Sequence, residues 1–290
     1  MYTDESIKIP LIDFSRILNE KLHRDEMTKL HAACEEWGFF LLINHGSEET
    51  IEKMKNHVEE FFKQPLEKRK LMLKNHNIEG YGQSFVRSED QKLNWADMEI
   101  LERYSTEVNK LAIQLMGMMA ENLGLEANRL TDMLRDVHQT LRMNYYPPCP
   151  QADKVVGISP HSDPIALTLL IESNNVQGLQ IRKDCMWVPV HAIPGAFIIN
   201  IGDMVEIWSN GKYKSIEHRV VVNHHRERLS VAVFHSPNNE DAIIGPLPEL
   251  VKEGAKYYKS TDLNTYYELN STLQGKKHAN IMKLVNPILE

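Results

Sequence analysis

The hydrophobic period changes partway along the chain, and that change decides the class of fold. Up to about residue 140 the apolar residues recur at helical spacing. Met27, Leu30, Cys34 and Trp37 share one stripe that ends at Gly38, and Ile51, Met54, Val58, Phe61 and Phe62 form a second. Pro65 stands where it can open a third helix. A long helix is expected around Val108, Leu111, Leu115, Met118 and Met119, ending near Gly124, with its methionines filling core rather than lining a groove. Between the first two stripes, Phe39 to Ile43 reads as a short buried strand closed by a turn at Asn44, His45 and Gly46. From Leu141 to Phe234 the pattern becomes short β-branched runs punctuated by Pro147-Pro148, Gly178, Pro194-Gly195 and Asn210-Gly211.

Helices first and strands later, without βαβ alternation, imply an α+β fold: an antiparallel sandwich or barrel with helices against one side. No repeat or linker divides the chain, so residues 1–290 are expected to form one domain. Within it, 1–140 is mainly helical, 141–240 is the β core, and 241–290 returns to a polar, helical pattern. The Asn210-Gly211 pair, between MVEIWS and KYKSIEH, predicts a tight hairpin.

Composition excludes several function classes. A net charge of −7 offers no basic field to a nucleic-acid backbone or an anionic membrane. No window approaches the run of apolar residues that a membrane span needs. Three widely spaced cysteines suit a reducing compartment better than a disulfide framework or a zinc ribbon. With no secretory segment at the N-terminus, a cytoplasmic protein is expected, acting as a monomer on a small organic molecule.

The chemistry is carried by same-face pairs. Side chains two apart on a strand share a face. His161 and Asp163 are such a pair in GISPHSDPIALTLLI, and Asn144 and Tyr146 are another in RMNYYPPCP. In ERLSVAVFH, Arg228, Ser230, Ala232 and Phe234 line one face, with Leu229, Val231 and Val233 on the other. His218 follows the Asn-Gly turn. Two imidazoles and one carboxylate leave open positions on a metal, the arrangement suited to non-haem Fe(II) with a chelating co-substrate and dioxygen. A guanidinium beside hydroxyls suits a carboxylate. Taken singly, each part reads as an ordinary strand residue. His224 and His225 read as surface, and His45 as a turn residue.

Taken in order, His161-x-Asp163, His218 and Arg228-x-Ser230 resemble the 2-oxoglutarate- and iron(II)-dependent dioxygenases of plants. The phrases ACEEWGFFLLINHG, MNYYPPCPQ, GLQIRKDCMWVPV, IINIGDMVEIWSNGKYKSIEHRVV and ERLSVAVFH carry the resemblance from Ile9 to about Lys283. GYGQSFVRSEDQKLNWADM and RMNYYPPCP are most similar to the branch that holds the codeine and thebaine O-demethylases and the senescence-related dioxygenases.

The resemblance implies a double-stranded β-helix, or jelly roll, buttressed by helices. It implies Fe(II) on His161, Asp163 and His218, and 2-oxoglutarate held by Arg228, Ser230, Tyr146 and Asn144. Phe234 would pack on the organic substrate. The activity implied is O2-dependent hydroxylation or O-demethylation of an alkaloid, flavonoid or terpenoid, releasing succinate and CO2, with ascorbate stimulatory. Relatives also carry a further stretch between the NWADM phrase and the helix near ERYS, whereas here Met98 runs directly into Glu99. That stretch normally lies near the pocket mouth. The alternative expectation is therefore a family member that binds metal or ligand with impaired turnover.

Overall fold

Two antiparallel sheets form the β half of the computed structural model, which describes residues 8–65, 95–135, 137–239, 241–251, 255–271 and 279–289. The strands are β1 (Leu11–Asp13), β2 (Phe39–Ile43), β3 (Val137–Tyr146), β4 (Ile158–His161), β5 (Leu167–Glu172), β6 (Leu179–Lys183), β7 (Met186–Pro189), β8 (Phe197–Ile201), β9 (His218–Val220) and β10 (Arg228–Pro237). The larger sheet has the order β1-β2-β8-β5-β10-β3, with β1 parallel to β2; the smaller is β4-β9-β6-β7. The crossing of strands between two sheets is the jelly roll that the resemblance implies.

Period-two alternation gives the larger sheet two different faces. Leu167, Leu169, Ile171, Phe197, Ile199, Ile201, Val231 and Val233 point outward into a core shared with the helices. Each such buried aliphatic contributes roughly 1.5–3 kcal/mol relative to exposure. The helices are α1 (Phe14–Ile17), α2 (His23–Ala32), α3 (Glu48–Lys63), α4 (Trp95–Asn122) and α5 (Asn128–Thr131). Tyr104, Val108, Leu111, Leu115 and Met119 of α4 lie in that core, so the methionine-bearing helix is structural as expected. A second apolar cluster, including Phe39, Tyr146, Leu179, Ile198 and Val220, lies between the sheets beside a cavity.

The stripe from Met27 to Trp37 is helical throughout, with Ala33–Trp37 as a π-turn ending at Gly38. Gly38 has φ +60°, and a Cβ there would collide with the Lys214 carbonyl, so two constraints converge on glycine. The helix expected from Pro65 onward, and the side chains of Met98 and Glu99, lie outside the described residues, although the backbone of α4 runs through that junction without a break.

Two expectations need correction. Asn210 and Gly211 do form a turn, with φ of 51° and 82°, but it closes a helix rather than a hairpin. The preceding segment, α6 (Asp203–Trp208), is helical with all six residues buried, and the Gly211 amide donates to the Glu206 carbonyl. Tertiary contacts override the β propensity here: in this helix the Glu206 carboxylate accepts from the Ser215 amide and the Tyr258 hydroxyl. The C-terminal portion is also only partly helical. It contains α7 (Leu263–Ser271) and α8 (Ala279–Met282), but Lys283–Leu289 is a strand paired antiparallel with Ala255–Tyr258. Among the described residues, no helix is long and apolar enough to cross a membrane.

Candidate active site

The inward faces of the two sheets enclose a cavity of about 310 Å³. His161 ends β4 and His218 opens β9, and the two are direct cross-strand partners in the β4–β9 ladder. Their rings lie 4.3 Å apart between centroids. Asp163, two residues past His161, brings its Oδ1 to 3.6 Å from His161 Nε2 and 3.7 Å from His218 Nε2. Ligand atoms of all three lie within 4.8 Å of one another, and among the described residues they form the one group of at least three such side chains.

The surroundings prepare these atoms for a metal. Each imidazole directs Nδ1 at a backbone carbonyl, Ser159 for His161 (2.8 Å) and Ile216 for His218 (3.1 Å). Those bonds favour the tautomer with the proton on Nδ1 and the lone pair on Nε2. Burial lowers the His218 pKa against the pull of Asp163. Burial alone would raise the Asp163 carboxyl. The facing His218 and His161, with hydrogen bonds from Thr168 and Asn200, outweigh it and hold the group below its usual range. Thr168 Oγ1 and Asn200 Nδ2 both donate to Asp163 Oδ2, at 2.6 and 2.8 Å, leaving Oδ1 for the metal. Two imidazole Nε2 atoms and one monodentate carboxylate oxygen are a donor set that fits Fe(II).

At the other end of the cavity, Arg228 is buried at the start of β10. Its Nη1 donates to Ser230 Oγ at 3.3 Å, and Asn144 Nδ2 donates to the same hydroxyl at 3.5 Å. Tyr146 is the cross-strand partner of Arg228, with the guanidinium carbon 5.4 Å from its ring centroid. A Cβ on Gly157 would stand 2.9 Å from the Tyr146 ring, so glycine there makes room for the tyrosine. Phe234 also lines the cavity, next to Ile165 and Pro164. All eight residues singled out from the sequence therefore reach one cavity. His224 and His225 are exposed, and His45 bonds the Gly195 carbonyl through Nε2, away from it.

Sequence reasoning missed Thr168, Asn200, Phe39, Arg142 and Glu172. Phe39 packs edge-on against the His218 ring at 5.3 Å, and Arg142 lines the cavity from β3. Thr168 and Asn200 had a visible signal: each is a polar residue flanked on both sides by apolar residues of a buried strand, which demands a buried partner.

Comparison with known proteins agrees with this geometry. Residues 137–237 match the model of the 2OG-Fe(II) oxygenase superfamily, and residues 9–118 match the N-terminal region of non-haem dioxygenases of morphine synthesis. S-norcoclaurine synthase 1 of Coptis japonica is 47% identical over 97% of this chain and 87% of its own. Codeine O-demethylase of Papaver somniferum is 40% identical over 84% of this chain and 75% of its own. The crystal structure of JOX2 in complex with 2OG, Fe and JA superposes with a TM-score of 0.82 at 32% identity, covering 96% of this chain and 90% of that one. The alignment with the Coptis japonica protein spans 309 positions, more than the 290 residues present here, so that relative carries residues with no counterpart in this chain. The chain belongs to the 2-oxoglutarate- and Fe(II)-dependent oxygenases, alongside codeine O-demethylase.

Proposed function

We propose that this oxygenase hydroxylates or O-demethylates a small, largely apolar plant metabolite of the alkaloid, flavonoid or terpenoid type. The supporting observation is one cavity with metal-competent atoms of His161, Asp163 and His218 at one end and Arg228 and Ser230 at the other. In this reading His161, Asp163 and His218 hold Fe(II), which supplies O2 activation coupled to oxidative decarboxylation of 2-oxoglutarate to succinate and CO2. Arg228 and Ser230 hold the distal carboxylate of 2-oxoglutarate, and Asn144 and Tyr146 complete its surroundings. Phe234, Ile165 and Pro164 offer apolar surface that positions a substrate C–H and excludes water. Hydroxylation of an O-methyl carbon gives a hemiacetal that loses formaldehyde, so both outcomes follow from one placement. Codeine O-demethylase carries that chemistry in its name.

The chain is further read as a cytoplasmic monomer that does not act on nucleic acid. Its net charge of −7 and three free cysteines support this. Size-exclusion with light scattering at increasing concentration tests the monomer.

A second reading has one specific observation behind it, the surplus of aligned positions in the Coptis japonica relative. If the missing residues close the pocket, the chain binds metal and 2-oxoglutarate without productive turnover. Succinate release with Fe(II), 2-oxoglutarate and ascorbate, across a panel of methoxylated alkaloids and flavonoids, separates the two. Substrate-stimulated succinate that vanishes in His218→Ala supports the first reading. Co-substrate binding with no stimulated succinate supports the second, and equal succinate from both proteins overturns the site assignment.

A further inference from the structure

Arg228 carries a partner that the co-substrate reading does not use. Glu172, the last residue of β5, sits on the inward face with Thr168 and Leu170 and is the cross-strand partner of Ser230. Its Oε1 accepts from Arg228 Nη2 at 2.7 Å and from Arg228 Nε at 3.3 Å. Both side chains are only 2% exposed. The pair therefore occupies one edge of the guanidinium, and Nη1 is left facing Ser230 and the cavity. Gly178 makes room for the arginine from behind, since a Cβ there would lie 2.7 Å from Arg228 Cδ.

Glu172 has two opposing effects on an incoming dicarboxylate. As an acceptor it orients the guanidinium, which favours binding. As a charge it neutralises the arginine before the co-substrate arrives, so the distal carboxylate meets a net-neutral pair and leaves the buried cluster with an uncompensated negative charge. Orientation needs only an oxygen acceptor, which a neutral amide supplies equally well. The charge is the part that can be removed alone.

We propose that Glu172 is a positioning residue that sets the affinity for 2-oxoglutarate: it aims Arg228 at the cavity and, through its charge, holds the binding of the dianion weaker than the arginine and serine by themselves would make it. Succinate carries the same distal carboxylate, so the same charge assists its departure. The inference rests on the assignment of Arg228 to the distal carboxylate.

The test is calorimetric titration of the full chain, loaded with redox-silent Mn(II), comparing wild type with Glu172→Gln. The ligands are 2-oxoglutarate and 2-oxobutyrate, a 2-oxoacid without the distal carboxylate. Glu172→Gln is expected to lower the Kd of 2-oxoglutarate on the order of tenfold to a hundredfold, from two like charges on opposite edges of one guanidinium at interior dielectric. It is expected to leave 2-oxobutyrate unchanged. An unchanged or weakened affinity for 2-oxoglutarate overturns the proposal, as does an equal shift for both ligands, which marks a general structural effect. Should Glu172→Gln not fold, Glu172→Ala removes the same charge and is expected to tighten 2-oxoglutarate less, because it also frees the guanidinium edge. Failure of wild type to bind 2-oxoglutarate at all refutes the Arg228 assignment instead.

Discussion

Thr168→Val is the most direct probe of how the protein holds its metal ligand. The substitution is nearly isosteric and removes one hydroxyl from a buried position. That hydroxyl donates to Asp163 Oδ2 at 2.6 Å, and without it only Asn200 Nδ2, at 2.8 Å, restrains that oxygen. A hydrogen bond to a charged group contributes roughly 1.5–3 kcal/mol. Its loss makes the carboxylate a stronger Lewis base, which tightens metal binding. It also frees Oδ2 to swing into the site and loosens the placement of Oδ1, which lies within 4 Å of both Nε2 atoms. The second effect should win, because removing such supporting partners typically weakens metal binding by 10–100-fold. The expected result is an affinity for Mn(II) or Co(II) reduced on the order of tenfold, read by competition with a chelating dye at neutral pH. Asn200→Leu should act in the same direction, and the double variant should depart from additivity because both donors share one acceptor. Metal affinities within about twofold of wild type in both folded single variants would refute the idea that these donors fix Asp163 for the metal.

Other perturbations have equally definite signs. Arg228→Lys keeps the charge but loses the fork, so the KM for 2-oxoglutarate should rise about tenfold or more with a smaller change in kcat, measured by succinate release. Lysine is preferable to glutamine there, since an unpaired buried Glu172 would cost roughly 3–5 kcal/mol of stability. Burial pushes His235 down from 6.5 to about 4 against a weak bond to the Leu167 carbonyl, so the unfolded chain takes up its proton first as pH falls. Its contribution is therefore complete above pH 6.5 and lost as pH drops toward 4, on the order of 3 kcal/mol. Thermal melts across that window should show a shallower slope for His235→Gln than for wild type. Gly202→Ala places a Cβ against the Ile165 carbonyl, backbone against backbone, and should lower Tm sharply or abolish soluble expression.

How much of this was legible in the sequence depends on how local each feature is. The inward face of β10 follows from period two alone, because Val231 and Val233 alternate with Ser230 and Ala232 in one unbroken strand. His161 and Asp163 follow from the same rule. That His218 meets them does not: it depends on His161 and His218 being partners across β4 and β9, a pairing between strands more than fifty residues apart. Order along the chain, matched to a family, supplied what spacing could not. The misread helix α6 fails for the opposite reason. Its local signals, β-branched residues followed by Asn-Gly, favour a hairpin, and they lose to a distant hydrogen-bond network from Glu206 to Ser215 and Tyr258. Glu172 was hidden because a carboxylate ending an apolar strand reads as its solvated tip, and only the fold shows Arg228 reaching back to it.

The larger sheet explains why a stable domain can hold so many buried polar groups. Its outward face buries Leu, Ile, Val and Phe against helices, and the apolar driving force for folding is concentrated there. The inward face carries the liabilities, each met by a partner. Asp163 has Thr168 and Asn200, Arg228 has Glu172 and Ser230, and Ser230 also has Asn144. Because alternation assigns every strand residue to one face or the other, a substitution inside the cavity changes chemistry without opening a void in the helix-facing core. The consequence is a separation that double-mutant cycles can measure. Val233→Ala, on the outward face, should lower stability by roughly 1–3 kcal/mol while leaving the Kd of 2-oxoglutarate intact. Glu172→Gln, on the inward face, should move that Kd, and because it leaves the Arg228 guanidinium buried without its counter-charge it should also cost roughly 3–5 kcal/mol of stability. Coupling between the two should stay below about 0.5 kcal/mol in stability, since they share no partner. A larger coupling would mean that the sheet transmits strain from its core face to its cavity face, and the two-faced account would fail.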